Sequence, residues 1–168
     1  MKVRLAGIVN ESVNDGPGLR IVIFFQGCDH HCPGCHNPQT WSFSGGEEYE
    51  VDSLLDHLCD HPLIRGITLS GGDPFYQPEA AARIAANFHE RGKDVWAYTG
   101  FVWNDLRNSS GSAWQELLEN IDVLVDGPFL QEQRDLKIPF RGSANQRLIC
   151  VSESLQQNQI VLWNPRPQ

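Results

Sequence analysis

The chain has no long apolar run of the kind that inserts into membranes. One apolar run extends from Ile21 to Phe25 and is followed by Gln26. It is far shorter than the roughly 20 residues needed to cross a bilayer. Arg4, Asn10 and Glu11 also interrupt the amino-terminal segment, so it lacks the apolar core of a secretory signal peptide. We therefore expect a cytoplasmic protein that does not insert into a membrane.

Positive charge is also scarce. Thirteen Lys and Arg residues against twenty-one Asp and Glu residues give a net charge of -8. A chain with this charge repels phosphate backbones and anionic lipids at long range, which argues against nucleic acid as a partner. No segment is biased enough in composition to predict disorder or a repeat. The 168 residues suffice for a sizeable core, and we expect a single domain over residues 1–168.

Cysteine is present, but not in the pattern of a disulfide framework. The chain has five cysteines, an odd number, and three of them fall close together at Cys28, Cys32 and Cys35. This pattern fits a reducing compartment and a metal or redox role. Cys59 lies on the apolar face of a predicted helix and Cys150 in a predicted strand, so we expect both to be core residues.

Strand and helix patterns alternate along the chain, which predicts an α/β fold with a mostly parallel sheet covered by helices. A complete eightfold β/α barrel typically needs about 250 residues, so an incomplete barrel is the expected architecture, with an open doubly wound sheet as the alternative. The predicted strands cover residues 3–9, 19–26, 66–70, 94–98, 123–125, 147–151 and 160–163, and the predicted helices begin near Val51, Pro78 and Trp114.

Each of four predicted strands ends in a loop that carries glycine, cysteine or acidic residues. The carboxyl ends of parallel strands meet at one edge of a sheet, and α/β folds bind their ligands there. We therefore expect these loops to line one shared crevice. They cover residues 27–41, 71–75, 99–101 and 126–129.

The thiols follow the spacing Cys-x3-Cys-x2-Cys, which is compatible with three kinds of site. Three thiolates can hold a four-iron cluster and leave one iron open to a small molecule. A structural zinc ion would need a fourth ligand, which His30, His31 or His36 could supply. Alternatively, Cys32 and Cys35 could form a redox dithiol of the Cys-x-x-Cys type, without Cys28.

A second glycine-rich segment bears on this choice. Gly71 and Gly72 follow a predicted strand, where their backbone groups can approach a ligand closely. The neighbouring Asp73 could accept hydrogen bonds from an ammonium group. Taken alone, the segment is also compatible with a simple turn.

Considered together, these segments resemble the radical S-adenosylmethionine superfamily, whose signature is Cys-x3-Cys-x2-Cys on the loop after the first strand. Within it, they are similar to the activating enzymes of glycyl-radical proteins, and in particular to those of anaerobic ribonucleotide reductases. The similar blocks occur in the family's order and are Asp15 to Arg20, Gly27 to Asn37, Thr40-Trp41, Ser70 to Pro74, Tyr98 to Phe101, Val125 to Phe129 and Arg141 to Arg147.

The resemblance implies a [4Fe-4S] cluster and S-adenosylmethionine as cofactors. The cluster would be held by Cys28, Cys32 and Cys35, and the open iron would be chelated by the amino and carboxylate groups of S-adenosylmethionine. The implied cofactor-binding residues are Gly71, Gly72 and Asp73 around the methionine amino group, Asp126 at a later strand end, and Gly34 and His36 beside the third cysteine.

The implied reaction is reductive cleavage of S-adenosylmethionine to methionine and a 5'-deoxyadenosyl radical. The radical then takes a hydrogen atom from a backbone glycine of an anaerobic ribonucleotide reductase. The resemblance suggests a flavodoxin-like electron donor and requires no side chain as acid or base. The alternatives are an activase of another glycyl-radical enzyme, such as pyruvate formate-lyase, and a zinc-stabilised interaction module. Arg141 and Arg147 could bind the methionine carboxylate, the partner or solvent, and the sequence assigns them no single role.

Overall fold

The computed structural model of the protein describes residues 1–58 and 61–164, so the expectation for Cys59 lies outside the described residues. The described residues form a seven-stranded sheet and five α-helices. Short 3-10 turns cover Pro38–Thr40, Pro74–Tyr76 and Gln131–Gln133. The main elements are β1 (Lys2–Ser12), β2 (Leu19–Phe25), β3 (Glu47–Glu50), α1 (Val51–His57), β4 (Ile64–Gly71), α2 (Pro78–Glu90), β5 (Asp94–Tyr98), α3 (Trp103–Asn108), α4 (Ser112–Glu119), β6 (Val123–Asp126), β7 (Arg147–Cys150) and α5 (Val151–Gln157).

The sheet has the strand order β3-β1-β2-β4-β5-β6-β7. Its four central strands, β2, β4, β5 and β6, are parallel to one another. The outer pairs, β3 with β1, β1 with β2 and β6 with β7, are antiparallel. This confirms the predicted mixed α/β fold with a parallel sheet. In the part of the chain that the structure describes, no helix combines the length and the apolar character required for a membrane span.

The two faces of the sheet differ in character, because side chains alternate along each strand. One face packs against the helices and forms the main apolar core. The opposite face carries polar and aromatic side chains and is called the inner face here. Its members in the parallel strands include Arg20, Phe24, Thr68, Ser70, Trp96 and Tyr98, whereas the core side contains Ile21, Ile23, Phe25, Ile67, Leu69, Val95, Ala97 and Leu124.

Helix α2 shows why the sequence forms these covering helices. Pro78 occupies the first turn, where its missing N–H would have no helical partner. Ala81, Ile84 and Phe88 follow at helical spacing and are buried in the core. The predicted helices near Val51, Pro78 and Trp114 are all present, the last beginning at Ser112.

Arg20 is a charged residue inside the sheet. Its side chain is fully buried, donates to Thr68 Oγ1 at 2.8 Å and pairs with Asp94 at 2.5 Å. Burial lowers the pKa of Arg20, and the neighbouring Asp94 opposes that effect. Thr68 in turn donates to the backbone carbonyl of Asp15. This chain of contacts holds the loop between β1 and β2 over the inner face.

Candidate cofactor site

The cysteines lie on a loop that begins directly after β2 and returns to its own starting point. Gly27 N–H donates to Thr40 O at 2.8 Å, and Cys28 N–H donates to Trp41 O at 3.1 Å. These two backbone bonds close residues 27–41, called the thiol loop, at its base. The turn within it is held by a bond from Cys35 N–H to Cys32 O at 3.0 Å. The thiols therefore lie on a loop that is closed at its base, directly after the end of a parallel strand.

A cavity of about 780 Å³ lies between the thiol loop and the inner face of the sheet. All four strand-end loops predicted to share a crevice contribute to its wall, which confirms that expectation. Cys28, Cys32 and Cys35 all line it. The other members from these loops are His30, His36, Asn37, Trp41, Gly71, Gly72, Thr99, Gly100, Gly127 and Phe129.

Burial raises the pKa of two of the thiols, Cys28 and Cys32. Cys28 is only 8% exposed, and burial raises its pKa to about 11. Burial also raises the pKa of Cys32. A buried thiolate without a positive partner is unfavourable, whereas iron ions supply that positive charge and bind the deprotonated sulfur. Three soft sulfur donors facing one cavity fit the ligand requirements of an iron-sulfur cluster.

The histidines that a zinc site would need have other neighbours. His30 Nε2 donates to Asp73 Oδ2 at 2.9 Å, and the ring of His31 packs on Trp41 at a centroid distance of 4.9 Å. His36 packs against the ring of a phenylalanine. A zinc site would need one of these rings as its fourth ligand beside the three sulfurs. The histidine contacts favour the cluster over zinc.

The dithiol alternative is disfavoured by the environment of Cys32. Reactive Cys-x-x-Cys pairs carry a thiol whose pKa is lowered by a nearby positive charge or a helix amino terminus. The pKa of Cys32 is instead raised, because burial penalises its thiolate. Cys32 and Cys35 are free thiols in the structure.

The glycine-rich segment after β4 lies against the base of the thiol loop. Gly72 N–H donates to Phe25 O at 2.7 Å, and Asp73 N–H donates to Gly27 O at 3.0 Å. A Cβ atom at Gly72 would lie 2.4 Å from Gly27 O, closer than real Cβ contacts allow. Gly71 has a φ of 95°, which favours glycine. These positions therefore require glycine because two backbone segments meet there.

Asp73 lies behind the cavity wall and is fully buried. Its Oδ2 accepts hydrogen bonds from His30 Nε2 at 2.9 Å, Thr99 Oγ1 at 2.8 Å and Gly100 N–H at 2.9 Å. Its Oδ1 accepts from Phe75 N–H at 2.9 Å. The carboxylate thus connects the thiol loop, the glycine-rich segment and the loop after β5.

Asp126 is likewise occupied by protein donors. Its Oδ2 accepts from Trp103 N–H at 2.8 Å, and both of its oxygens accept from the guanidinium of Arg147. The hydrogen-bonded carboxylate raises the pKa of Arg147. Asp126 is 1% exposed, and the next residue, Gly127, lines the cavity in its place. Arg147 therefore has a structural role, which the sequence left open.

The two predicted residues beside the third cysteine differ in position. His36 lines the cavity and packs against Phe129 with ring centroids 5.0 Å apart. Gly34 lies next to Gln131 and is not among the cavity-lining residues. Cys150 is a free, half-buried thiol away from the cavity, so it is more exposed than the predicted core thiol.

Several cavity residues were not singled out from the sequence. Phe24, Ser70 and Tyr98 line the cavity from the inner face of the sheet. The alternation in β5, where Val95 and Ala97 enter the core, is the signal that would have placed Tyr98 opposite them. Residues 136–140, for which the sequence predicted no element and no role, form another part of the wall beside Arg141 and Gly142.

Comparison with known proteins gives a consistent family. Residues 14–149 match the family model described as a 4Fe-4S single cluster domain. An anaerobic ribonucleoside-triphosphate reductase-activating protein from Vibrio cholerae is 42% identical over 144 residues, which cover 80% of this chain and 89% of that protein. The protein of the same name from Escherichia coli K12 is 37% identical over 142 residues, covering 79% of this chain and 88% of that one.

Among solved structures, the crystal structure of QueE from Escherichia coli aligns with a TM-score of 0.46 and 16% sequence identity. The alignment covers 60% of this chain and 53% of that one.

Proposed function

Because the chain belongs to the 4Fe-4S single cluster domain family and to the anaerobic ribonucleoside-triphosphate reductase-activating proteins, we propose that it activates an anaerobic ribonucleotide reductase. The activation places a glycyl radical on the reductase through reductive cleavage of S-adenosylmethionine. The protein is on this basis a radical S-adenosylmethionine enzyme. The observation that carries the proposal is that all three thiols and the glycine-rich segment line one shared cavity.

The cysteines and the glycines have separate tasks in this proposal. Cys28, Cys32 and Cys35 hold the [4Fe-4S] cluster, and Gly71 and Gly72 present backbone groups to the methionine part of S-adenosylmethionine. His36 lies at the cavity wall beside the third cysteine, where its ring can contact the adenosine. When bound, the cluster and S-adenosylmethionine supply the one-electron chemistry that removes a hydrogen atom from the target glycine. The protein supplies binding, orientation and exclusion of water.

Asp73, Asp126 and Gly34 act indirectly in the proposed site. Asp73 and Asp126 have protein donors on both carboxylate oxygens and are almost completely buried. We assign them to holding the loops that the cofactors contact. Gly34 permits the tight turn between the second and third cysteines, where its φ is 74°.

We also propose an architecture, an electron donor and a cellular location for the protein. The single domain would be a partial β/α barrel, with the helices outside and the inner face turned toward the cofactors. An incomplete barrel would leave an open side for a glycine-bearing loop of the partner, since glycine has no side chain to hinder a close approach. A flavodoxin-like protein would supply the electron, and the reaction would take place in the cytoplasm.

The test is reconstitution with iron and sulfide under anaerobic conditions, followed by mixing with reductant, S-adenosylmethionine and an anaerobic ribonucleotide reductase. We expect a brown protein and a glycyl-radical signal in electron paramagnetic resonance. Replacing Cys28, Cys32 or Cys35 by alanine should abolish both. Cys150→Ala is the matched control and should retain both, because Cys150 lies away from the cavity.

Two outcomes would contradict the proposal. A colourless protein that binds one zinc ion would support the interaction module instead. A radical signal on pyruvate formate-lyase, with none on the ribonucleotide reductase, would support the other activase.

A further inference from the structure

The segment from Arg141 to Arg147 binds the loop that follows β6. Most of its polar side chains are used in that contact. Ser143 Oγ accepts from Leu130 N–H, Asn145 Nδ2 donates to Pro128 O, Gln146 Nε2 donates to Gly127 O, and Arg147 pairs with Asp126. These bonds explain why the segment is polar without invoking a ligand.

Two buried atoms of this segment have no hydrogen-bond partner among the described residues, Asn145 Oδ1 and Arg141 Nε. Asn145 does not line the cavity, whereas Arg141 does and is charged. Arg141 lines the cavity, and its guanidinium makes one hydrogen bond, from Nη1 to Gln146 O at 3.2 Å. Its Nε atom is buried and has no hydrogen-bond partner. Over residues 1–58 and 61–164, no carboxylate lies within ion-pair distance of it. A partly buried cation therefore faces the cavity without an anion.

The surrounding contacts hold the backbone from which this side chain extends. Gln146 Oε1 accepts from Gly142 N–H at 2.9 Å, which fixes the backbone beside Arg141. A Cβ atom at Gly142 would lie 3.0 Å from the ring of Phe129 and 3.5 Å from His36 Cε1. The backbone next to Arg141 thus packs against the residue that follows the third cysteine. Arg141 is anchored at the thiol-loop side of the cavity.

The chemistry of this arrangement selects a carboxylate. A guanidinium presents parallel N–H donors that match the two oxygens of a carboxylate, and such charge-assisted pairs are strong when partly shielded from water. Asp15, the acidic residue in the cavity wall, accepts from Ser12 Oγ at 2.5 Å and is not within ion-pair distance of Arg141. A ligand must therefore supply the anion.

We propose that Arg141 binds the carboxylate of the methionine part of S-adenosylmethionine. The assignment rests on the proposed function, because it takes S-adenosylmethionine as the occupant of the cavity. Arg141 would orient the amino-acid end of the cofactor toward the cluster, opposite the backbone groups of Gly71 and Gly72. Arg147 takes no part, since its guanidinium is paired with Asp126.

The experiment compares two ligands in the reconstituted full-length protein. S-adenosylmethionine and decarboxylated S-adenosylmethionine share the sulfonium and the adenosine, and only the first has a carboxylate. Equilibrium dialysis gives the Kd of each for the wild type, Arg141→Gln and Arg141→Lys. We expect Arg141→Gln to raise the Kd for S-adenosylmethionine by roughly tenfold to a hundredfold, as for loss of a charge-assisted hydrogen bond. It should leave the affinity for the decarboxylated ligand unchanged. Arg141→Lys keeps the charge but loses the paired donors, so its effect should be intermediate.

Arg134→Gln is the control, because Arg134 is an exposed arginine of the same loop region that does not line the cavity. It should bind both ligands as the wild type does. Equal weakening of both ligands by Arg141→Gln would overturn the assignment, as would no weakening of either. Unchanged Kd values with a raised KM for the reductase would show that the carboxylate belongs to the partner instead. Failure of the wild type to bind S-adenosylmethionine at all would contradict the proposed function itself.

Discussion

At the scale of single residues, the buried carboxylate of Asp73 determines how three loops meet. It is surrounded by four protein donors, from His30, Phe75, Thr99 and Gly100. A buried acceptor with this many donors is costly to remove, because each donor then loses its partner without gaining water. Asp73 therefore shapes the cavity from behind its wall.

We predict that Asp73→Asn lowers the free energy of unfolding of the iron-free protein by about 1–3 kcal/mol. The amide has one acceptor oxygen instead of two, so its NH₂ group must face an N–H or O–H donor. Urea unfolding followed by tryptophan fluorescence measures the change, and iron per chain after reconstitution should also fall.

Thr99→Val is the matched control for this variant, since it removes one of the four donors and should cost about 1 kcal/mol. A different result would indicate that Asp73 binds S-adenosylmethionine directly. In that case Asp73→Asn would leave the stability of the iron-free protein unchanged and weaken only the binding of S-adenosylmethionine.

Tyr98 gives a prediction for alkaline pH. Its hydroxyl donates to Phe140 O at 2.9 Å, and burial, followed by the negative charge of Asp15, raises its pKa. The folded chain thus keeps the phenol proton at pH values where the unfolded chain, with a tyrosine pKa of about 10, releases it. This contribution to stability is fully present below about pH 10 and is lost as the pH rises toward the raised pKa.

Tyr98→Phe should therefore be less stable than the wild type by about 1 kcal/mol at neutral pH, for loss of the hydrogen bond. Above about pH 10 its stability should fall less steeply, because the titrating group is absent. Urea unfolding of both proteins at a series of pH values measures this difference. Parallel profiles for the two proteins would contradict the raised pKa.

At the scale of elements, the thiol loop and the glycine-rich segment behave as one unit. Their backbones contact directly, so a side chain at the contact would force them apart. A Cβ at Gly72 would lie 2.4 Å from Gly27 O, whereas a Cβ at Gly7 in β1 would meet nothing within 4 Å.

We predict that Gly72→Ala loses most of its iron after anaerobic reconstitution, because the thiols no longer converge on one cavity. Its far-ultraviolet circular dichroism should remain close to that of the wild type, since the contact lies at the ends of β2 and β4 and includes no helix. Gly7→Ala is the matched control and should retain its iron. Normal iron content in Gly72→Ala would show that the thiol loop forms its site without support from β4.

Among the strands and helices, those with a regular apolar pattern could be predicted from the sequence. The parallel strands and α2 were predicted because their apolar residues alternate or recur at helical spacing. Strand β3 was missed because Glu47–Glu50 is acidic, and its pairing with β1 depends on contacts such as Lys2 with Glu48 at 2.6 Å. Those contacts are tertiary and leave no local pattern.

The carboxyl-terminal region was the least well predicted. The strand predicted over residues 147–151 ends at Cys150, and helix α5 begins at Val151. The strand predicted over residues 160–163 is reduced to a single bridge between Ile149 and Leu162. Helix α3 was also missed, because its six residues contain only two buried side chains, Trp103 and Leu106. Short elements of this kind depend on tertiary packing rather than on their own propensity.

At the scale of the whole molecule, the sequence predicted where the cavity lies but not the hydrogen bonds that support its wall. The spacing of the cysteines and the repeated glycine loops located the cavity correctly, because parallel strands deliver their ends to one edge. The sequence could not show that Asp73 and Asp126 are buried behind the wall. Hydrogen-bond partners such as Thr99 and Arg147 are distant in sequence, and only the folded chain brings them together.

The proposed binding of S-adenosylmethionine to the open iron of the cluster gives a prediction for global stability. A ligand that binds only the folded state stabilises it by about 2.7 kcal/mol at a hundred times its Kd. We expect this stabilisation in the reconstituted wild type and none in Cys28→Ala, which lacks one iron ligand. Thermal unfolding under anaerobic conditions, with and without S-adenosylmethionine, measures it. Equal stabilisation of both proteins would indicate a binding site independent of the cluster.

The closure of the thiol loop at its own base has a consequence for biogenesis. Gly27 and Cys28 bond to Thr40 and Trp41, so the loop leaves and rejoins the scaffold at one point. The entropy of closing such a loop depends on its own length, not on the order in which distant strands pair. We therefore expect the polypeptide to pair its strands and close this loop before the cluster is assembled. Resistance of the iron-free protein to proteolysis between residues 27 and 41 would test this order.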